Sequence, residues 1–172
     1  MILGDRYRQA LELAFSLHRT QERKGSGVPY VAHLLGVSSL ALEYGADEDE
    51  AIAALLHDAV EDQGGMEAAA EIRGRFGERV TEIVLGCSDW AGEGEKPSWR
   101  ERKERYLEHL ERASTSVRLV SACDKLYNAR SMVADLERLG EALWPRFTGG
   151  RDGSLWYYNE PSRPPEIGRA HV

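Results

Sequence analysis

Four side chains able to bind a divalent cation stand in the order His33, the adjacent pair His57-Asp58, and Asp124. The pair follows the apolar run Ala53-Ala54-Leu55-Leu56 and is followed at once by Glu61-Asp62, so charge sits where a plain helix carries core. Burying a carboxylate without a partner costs several kcal/mol, and a cation held jointly by two imidazoles and two carboxylates offsets that cost. Nitrogen and oxygen donors without thiolate suit a borderline-to-hard ion, and Mn²⁺, Fe²⁺, Co²⁺ and Zn²⁺ all qualify; donor type alone does not choose among them. Such an ion polarises a phosphoryl oxygen and makes water more acidic, while a nearby carboxylate accepts the proton. Glu61 and Asp62 are the carboxylates in place. Singly, each residue also has a plainer reading: His33 as a satisfied core or surface histidine, Asp124 as the partner of Lys125 or Arg130, Glu61-Asp62 as charges ending a helix. Negative charge at a helix C-terminus is unfavourable, which argues for chemistry at the last of these.

The elements that must position these groups read as helices throughout. Tyr7, Ala10, Leu11, Ala14, Phe15 and His18 recur at three- and four-residue steps, predicting a first helix that ends before Gly25-Ser26-Gly27. Pro29 pre-sets a second helix with His33 in its first turns and Gly45 as its stop. Asp47 and Glu50 form a capping pattern for a third helix running to about Asp62, closed by Gly64-Gly65. At roughly 100° per residue, His57, Asp58, Glu61 and Asp62 then span an arc of roughly 140° facing one cavity. Further helices are expected at about Met66 to Arg75, Glu78 to Ser88, Ser98 to Arg112 and Ser116 to Leu139, the last presenting Asp124 and Asn128 on one stripe. Trp90 to Pro97 reads as a loop, and no run alternates as a strand. The expectation is an all-α single domain, a bundle of about seven to nine helices.

The 172 residues suit one domain, and a formal net charge of −7 has the wrong sign for broad contact with a phosphate backbone, so nucleic acid is not an expected partner. No apolar run approaches the roughly 18 residues of a membrane helix, and Met1 to Asp5 lacks a signal-peptide layout. A cytoplasmic protein with a small-molecule partner and no membrane partner is expected. Cys87 and Cys123 lack metal or redox spacing and read as reduced, half-buried residues.

His33, His57-Asp58 and Asp124 together resemble the HD-domain metal-dependent phosphohydrolases. The stretches from His18 to Lys24, Gly27 to His33, Leu55 to Asp62, Arg75 to Gly77 and Asp124 to Arg130 resemble the alarmone hydrolase domain of RelA/SpoT proteins and their small MESH1-like relatives, over residues 7 to 158. The resemblance implies a helical HD fold, one Mn²⁺ held by the four named ligands, and removal of the 3′-pyrophosphate from ppGpp or pppGpp. It also implies that Glu61 and Asp62 orient or activate the attacking water. Arg23 would pack on the guanine base, as a guanidinium plane can, with Lys24 on phosphate or ribose and Asn128 near the nucleotide. HD enzymes with two metals use further histidines near the pair; none lies between His57 and His109, so one ion is expected. His109 reads as incidental, and Lys96 to Lys103 as an exposed helix face with internal ion pairs rather than a basic rim.

Three functions fit. The first is a stand-alone alarmone hydrolase without a synthetase half. The second is an HD phosphohydrolase on another nucleotide, such as a 2′-phosphatase of NADPH. The third is a catalytically silent alarmone-binding module, expected to have lost a ligand or the Glu-Asp pair, which are all present. The pattern departs at the C-terminus, where Pro161 to Pro165 breaks off and Glu166 to Val172 resembles the translation of a sequencing-library adapter. Residues 1–160 are then the domain and 161–172 a non-native or disordered tail that has replaced the natural one, and His171 is excluded as a ligand. Comparison of the source DNA with the adapter tests this: agreement across those codons is expected, and any mismatch removes the idea.

Overall fold

The computed structural model describes residues 3–90 and 94–159. The expectations for the tail 161–172, including the adapter-like stretch and His171, lie outside the described residues. Helix α3 (Glu48–Leu56) is apolar along its whole second half, and a helix apolar all round must be buried on every side. Ala51 to Leu56 are each 0% exposed, with α1 (Asp5–His18), α2 (Val31–Glu43), α6 (Glu78–Cys87) and α8 (Thr115–Leu139) packed around them. The expected cap is present: the Asp47 carboxylate accepts from the Glu50 amide at 3.0 Å, and the Glu50 carboxylate accepts from the Asp47 amide at 2.8 Å. The remaining elements are α4 (Ala59–Gln63), α5 (Gly65–Phe76), α7 (Trp99–Arg112), a 3₁₀ turn (Gly140–Arg146) and α9 (Gly150–Asn159). Among the described residues the one β feature is an isolated antiparallel bridge between Glu22 and Pro29, and no helix is long and apolar enough to cross a membrane.

The single helix expected from Asp47 to Asp62 is two. The His57 ring turns back on its own helix, and Nδ1 bonds the Ala54 carbonyl at 2.8 Å, using the acceptor that a continuing helix offers to the Asp58 amide. Asp58 then adopts φ −94°, ψ −3°, the bridge region where many active-site residues sit. Glu61 and Asp62 fall in the first turn of the five-residue α4 rather than at the end of a long helix. The electrostatic mismatch expected for a C-terminal position is therefore absent.

Two close approaches set how the helices meet. A Cβ on Gly36 of α2 meets the Tyr127 ring of α8 at 1.9 Å, and one on Gly86 of α6 meets Val117 of α8 at 2.6 Å. Both glycines are places where α8 comes closer than any side chain allows. The 3₁₀ turn and α9 were not expected, since Gly149, Gly150 and Gly153 interrupt the helical pattern there. Gly149 and Gly153 are space for Trp99 of α7, whose ring lies 2.7 Å from a Cβ on Gly149 and 3.1 Å from one on Gly153, while Gly150 takes a positive φ of 58°. Burial of Leu143, Trp144 and Tyr157 docks the segment. Gly36→Ala is expected to destabilise the protein by about 1–3 kcal/mol through overpacking at the α2–α8 contact, read as a lower urea midpoint.

Candidate active site

The broken α3–α4 junction, the first turn of α2 and the middle of α8 meet at one point. His57 Nε2 lies 3.0 Å from Asp58 Oδ2 and 3.6 Å from Asp124 Oδ1, while His33 Nε2 lies 3.4 and 3.3 Å from the same two oxygens. The two imidazole nitrogens are 3.3 Å apart. Donors from His33, His57 and Asp58 lie within 4.8 Å of one another, and Asp124 approaches both imidazoles from α8. Donors bound at about 2.0–2.2 Å to a common ion stand at such separations. Both histidines are nearly fully buried, 1% and 3% exposed. The Ala54 carbonyl holds the proton of His57 on Nδ1, which turns the Nε2 lone pair toward the other donors. Burial pushes the His57 imidazolium down, but the Asp58 and Asp124 carboxylates outweigh it and hold it well above the usual range. Burial likewise works against Asp58 and Asp124, yet the two histidines hold both far below it. The centre thus draws positive charge, and its donor set fits a divalent cation.

Tyr30, outside the expected set, and Asn128, expected near the nucleotide, brace it. The Tyr30 hydroxyl donates to Asp58 Oδ2 at 2.6 Å, and the Asn128 amide donates to Asp124 Oδ1 at 2.6 Å. Asn128 in turn accepts from Arg23 Nη2 at 2.9 Å, and that guanidinium lies 5.6 Å from the Tyr127 ring centroid. Arg23 is therefore tied through Asn128 to Asp124. Tyr30 was missed because a tyrosine ahead of a helix carries no spacing signal; its partner is 28 positions away.

Asp58, Glu61, Asp62 and Asp124 line a cavity of about 400 Å³ together with Arg23, Lys24 and Asn128. Every site residue expected from the sequence except the two buried histidines reaches its wall. The expectation for Lys96 to Lys103 holds in part. Arg100 pairs with Glu104 at 2.6 Å on the outer face, but Arg102 and Lys103 turn inward and line the cavity. Lys103 shares its face of α7 with the buried Tyr106 and Leu110, which set the rotation of the helix. Both cations grip Asp89, whose side chain is 2% exposed: Lys103 Nζ at 2.7 Å, and Arg102 through Nη1, which also lies 3.5 Å from Glu61. Burial works against the Asp89 carboxylate, but Lys103 and Arg102 outweigh it and hold it below the usual range. Glu61 shows the opposite: burial first, then the negative charge of Asp89, pushes it up to about 7. Asp62 is raised by burial and by Asp58. His109 bonds the Gly86 carbonyl at 3.2 Å, and Cys87 and Cys123 are free thiols.

Residues 10–155 match the HD domain family. The MESH1 guanosine-3′,5′-bis(diphosphate) 3′-pyrophosphohydrolase of Xenopus tropicalis is 37% identical over 139 residues, 79% of this chain and 72% of that protein. The corresponding enzyme of Aquifex aeolicus is 34% identical over 129 residues, 75% of this chain but 18% of that longer protein. A solved metazoan ortholog of SpoT, described as hydrolysing ppGpp, superposes with a TM-score of 0.70 at 25% identity, covering 93% of this chain and 95% of that one. The chain belongs to the HD-domain family, in the branch of the MESH1- and SpoT-type hydrolases. The family implies a divalent metal, and His33, His57 and Asp58 form a site able to hold one.

The raised Glu61 has a thermodynamic consequence. Its folded value of about 7 lies above the ordinary 4.5, so its contribution to stability is complete below pH 4.5 and is lost as pH rises through 7. Glu61→Gln stays neutral at every pH. In metal-free protein it is expected to match the parent near pH 4.5 and to exceed it at pH 8, by on the order of 1–3 kcal/mol in urea unfolding. Equal stability of the two proteins at pH 8 contradicts this account.

Proposed function

We propose that the protein is a metal-dependent hydrolase of guanosine alarmones, converting ppGpp to GDP and pppGpp to GTP with release of the 3′-pyrophosphate. The observation that carries this is the meeting, in one cavity, of a buried imidazole–carboxylate centre, the Glu61-Asp62 pair and the cations Arg23, Lys24, Arg102 and Lys103. Those cations match a substrate with two diphosphates. The names of the relatives support the guanosine substrate.

His33, His57, Asp58 and Asp124 are the residues that would hold the ion, and we assign Mn²⁺ to it on the resemblance to the alarmone hydrolases, since the donor set itself admits Fe²⁺, Co²⁺ and Zn²⁺ as well. When bound, the ion supplies Lewis acidity, polarising a phosphoryl oxygen and lowering the pKa of water. Glu61 and Asp62 are the groups we assign to the water. A carboxylate near pKa 7 is matched to general-base work at neutral pH, since it both takes a proton and releases it. We assign Arg23 to the base, Lys24 to phosphate or ribose and Asn128 to the nucleotide, supported by their shared position in the cavity wall. We place the enzyme in the cytoplasm.

The test is a hydrolysis screen of ppGpp, pppGpp, NADPH and ordinary nucleotides with Mn²⁺ present and then chelated. Pyrophosphate release from ppGpp that stops on chelation is expected; phosphate release from NADPH alone sinks the assignment. Asp58→Ala is expected to lose metal and activity together. Glu61→Ala is expected to keep the metal and to lose on the order of 10²-fold or more in kcat, so near-normal turnover removes Glu61 from the water.

A further inference from the structure

Behind Asp62 stand three residues that the reaction as drawn does not use. His18 ends α1 and is 1% exposed, with Nδ1 2.7 Å from Gln21 Oε1, and Gln63 Nε2 donates to the same oxygen. With its oxygen taken by two donors, the Gln21 amide has one orientation left, and its Nε2 donates to Asp62 Oδ2 at 2.8 Å. The backbone of Gln21 is fixed as well: its amide donates to the His18 carbonyl at 3.0 Å and its carbonyl accepts from the Tyr30 amide at 2.8 Å. Tyr30 is the residue that bonds Asp58, and it stacks on His18 with ring centroids 5.3 Å apart. One bridge therefore serves two carboxylates of the site.

The arrangement carries a cost. With the proton on Nδ1, His18 leaves Nε2 buried and without a hydrogen-bond partner among the described residues, a loss that packing alone does not call for. We propose that Gln21, clamped by His18 and Gln63, is a positioning residue that holds the Asp62 carboxylate toward the cavity for the water-handling step. Asp62 Oδ2 is occupied by Gln21, while Oδ1 has no partner among the described residues and is the oxygen left for water. The inference rests on the role given above to Asp62 in alarmone hydrolysis.

Gln21→Leu removes the amide at similar volume. Turnover of ppGpp is expected to fall about 10–100-fold in kcat, with KM within about twofold and Mn²⁺ content unchanged. In an Asp62→Asn background the same substitution is expected to cost nothing further, because the group it positions is gone. His18→Asn, whose amide nitrogen takes the place of Nδ1, is expected to retain more activity than His18→Ala. Parent-like kcat in Gln21→Leu overturns the proposal, as does an equal loss in both backgrounds. Crystal structures give a reading independent of substrate: Asp62 is expected in one rotamer in the parent and in another, or several, in Gln21→Leu. An unmoved Asp62 overturns the inference, and should Gln21→Leu fail to fold, the His18 pair decides it by the same rotamer. If the parent releases no pyrophosphate from ppGpp, the proposed function fails, and the Asp62 rotamer alone then decides the positioning role.

Discussion

Mutual approach of two imidazoles and two carboxylates, with the histidine Nε2 atoms 3.0–3.6 Å from the carboxylate oxygens, is the constraint around which the rest of the molecule is organised. Left to themselves, two anions in a buried place repel one another and draw protons. The surrounding structure holds them apart from that outcome by fixing each donor from behind: Ala54 on His57, Tyr30 on Asp58, Asn128 on Asp124. These braces come from three parts of the chain, so the site is assembled only when α2, α3 and α8 are packed. The fully buried α3 makes that packing obligatory, because its apolar surface has no other place to go.

A second electrostatic layer lies along α7. Asp89 is buried with two cations and stays charged, whereas Glu61, nearby but with less cationic help, is pushed up to about 7. Two carboxylates with different environments thus divide their labour, one holding Arg102 and Lys103 in place and the other poised to exchange a proton at neutral pH. Of the two, the raised Glu61 detracts from stability at neutral pH, a common feature of sites arranged for chemistry.

How far the sequence was legible follows from how local each signal is. The caps and most helix spans depend on residues a few positions apart, and these were read with ends displaced by a residue or two. The break at His57-Asp58 was hidden because it arises from a side chain competing for a main-chain carbonyl, which leaves the apolar pattern intact. Arg102 and Lys103 were read as solvated because their partner Asp89 stands 13 positions before Arg102, outside the reach of helical spacing. Helix α9 escaped because Gly149, just before it, and Gly153, within it, serve the Trp99 ring, a distant need that mimics a local breaker. Arg23 and Asn128 were expected near the nucleotide, but the bond between them joins positions 105 apart and has no trace in spacing.

The Gly36–Tyr127 contact bears on the spacing of the site. His33 and Asp124 lie three positions from Gly36 and Tyr127, on the same two helices. The distance between those ligands is therefore set by the thickness of an aromatic ring lying on bare backbone. Neither residue donates to an ion, yet together they fix the gauge of the cradle. Residues that touch no ligand atom thus govern how far apart the two ligand-bearing helices stand, through the stiffness of close-packed helices.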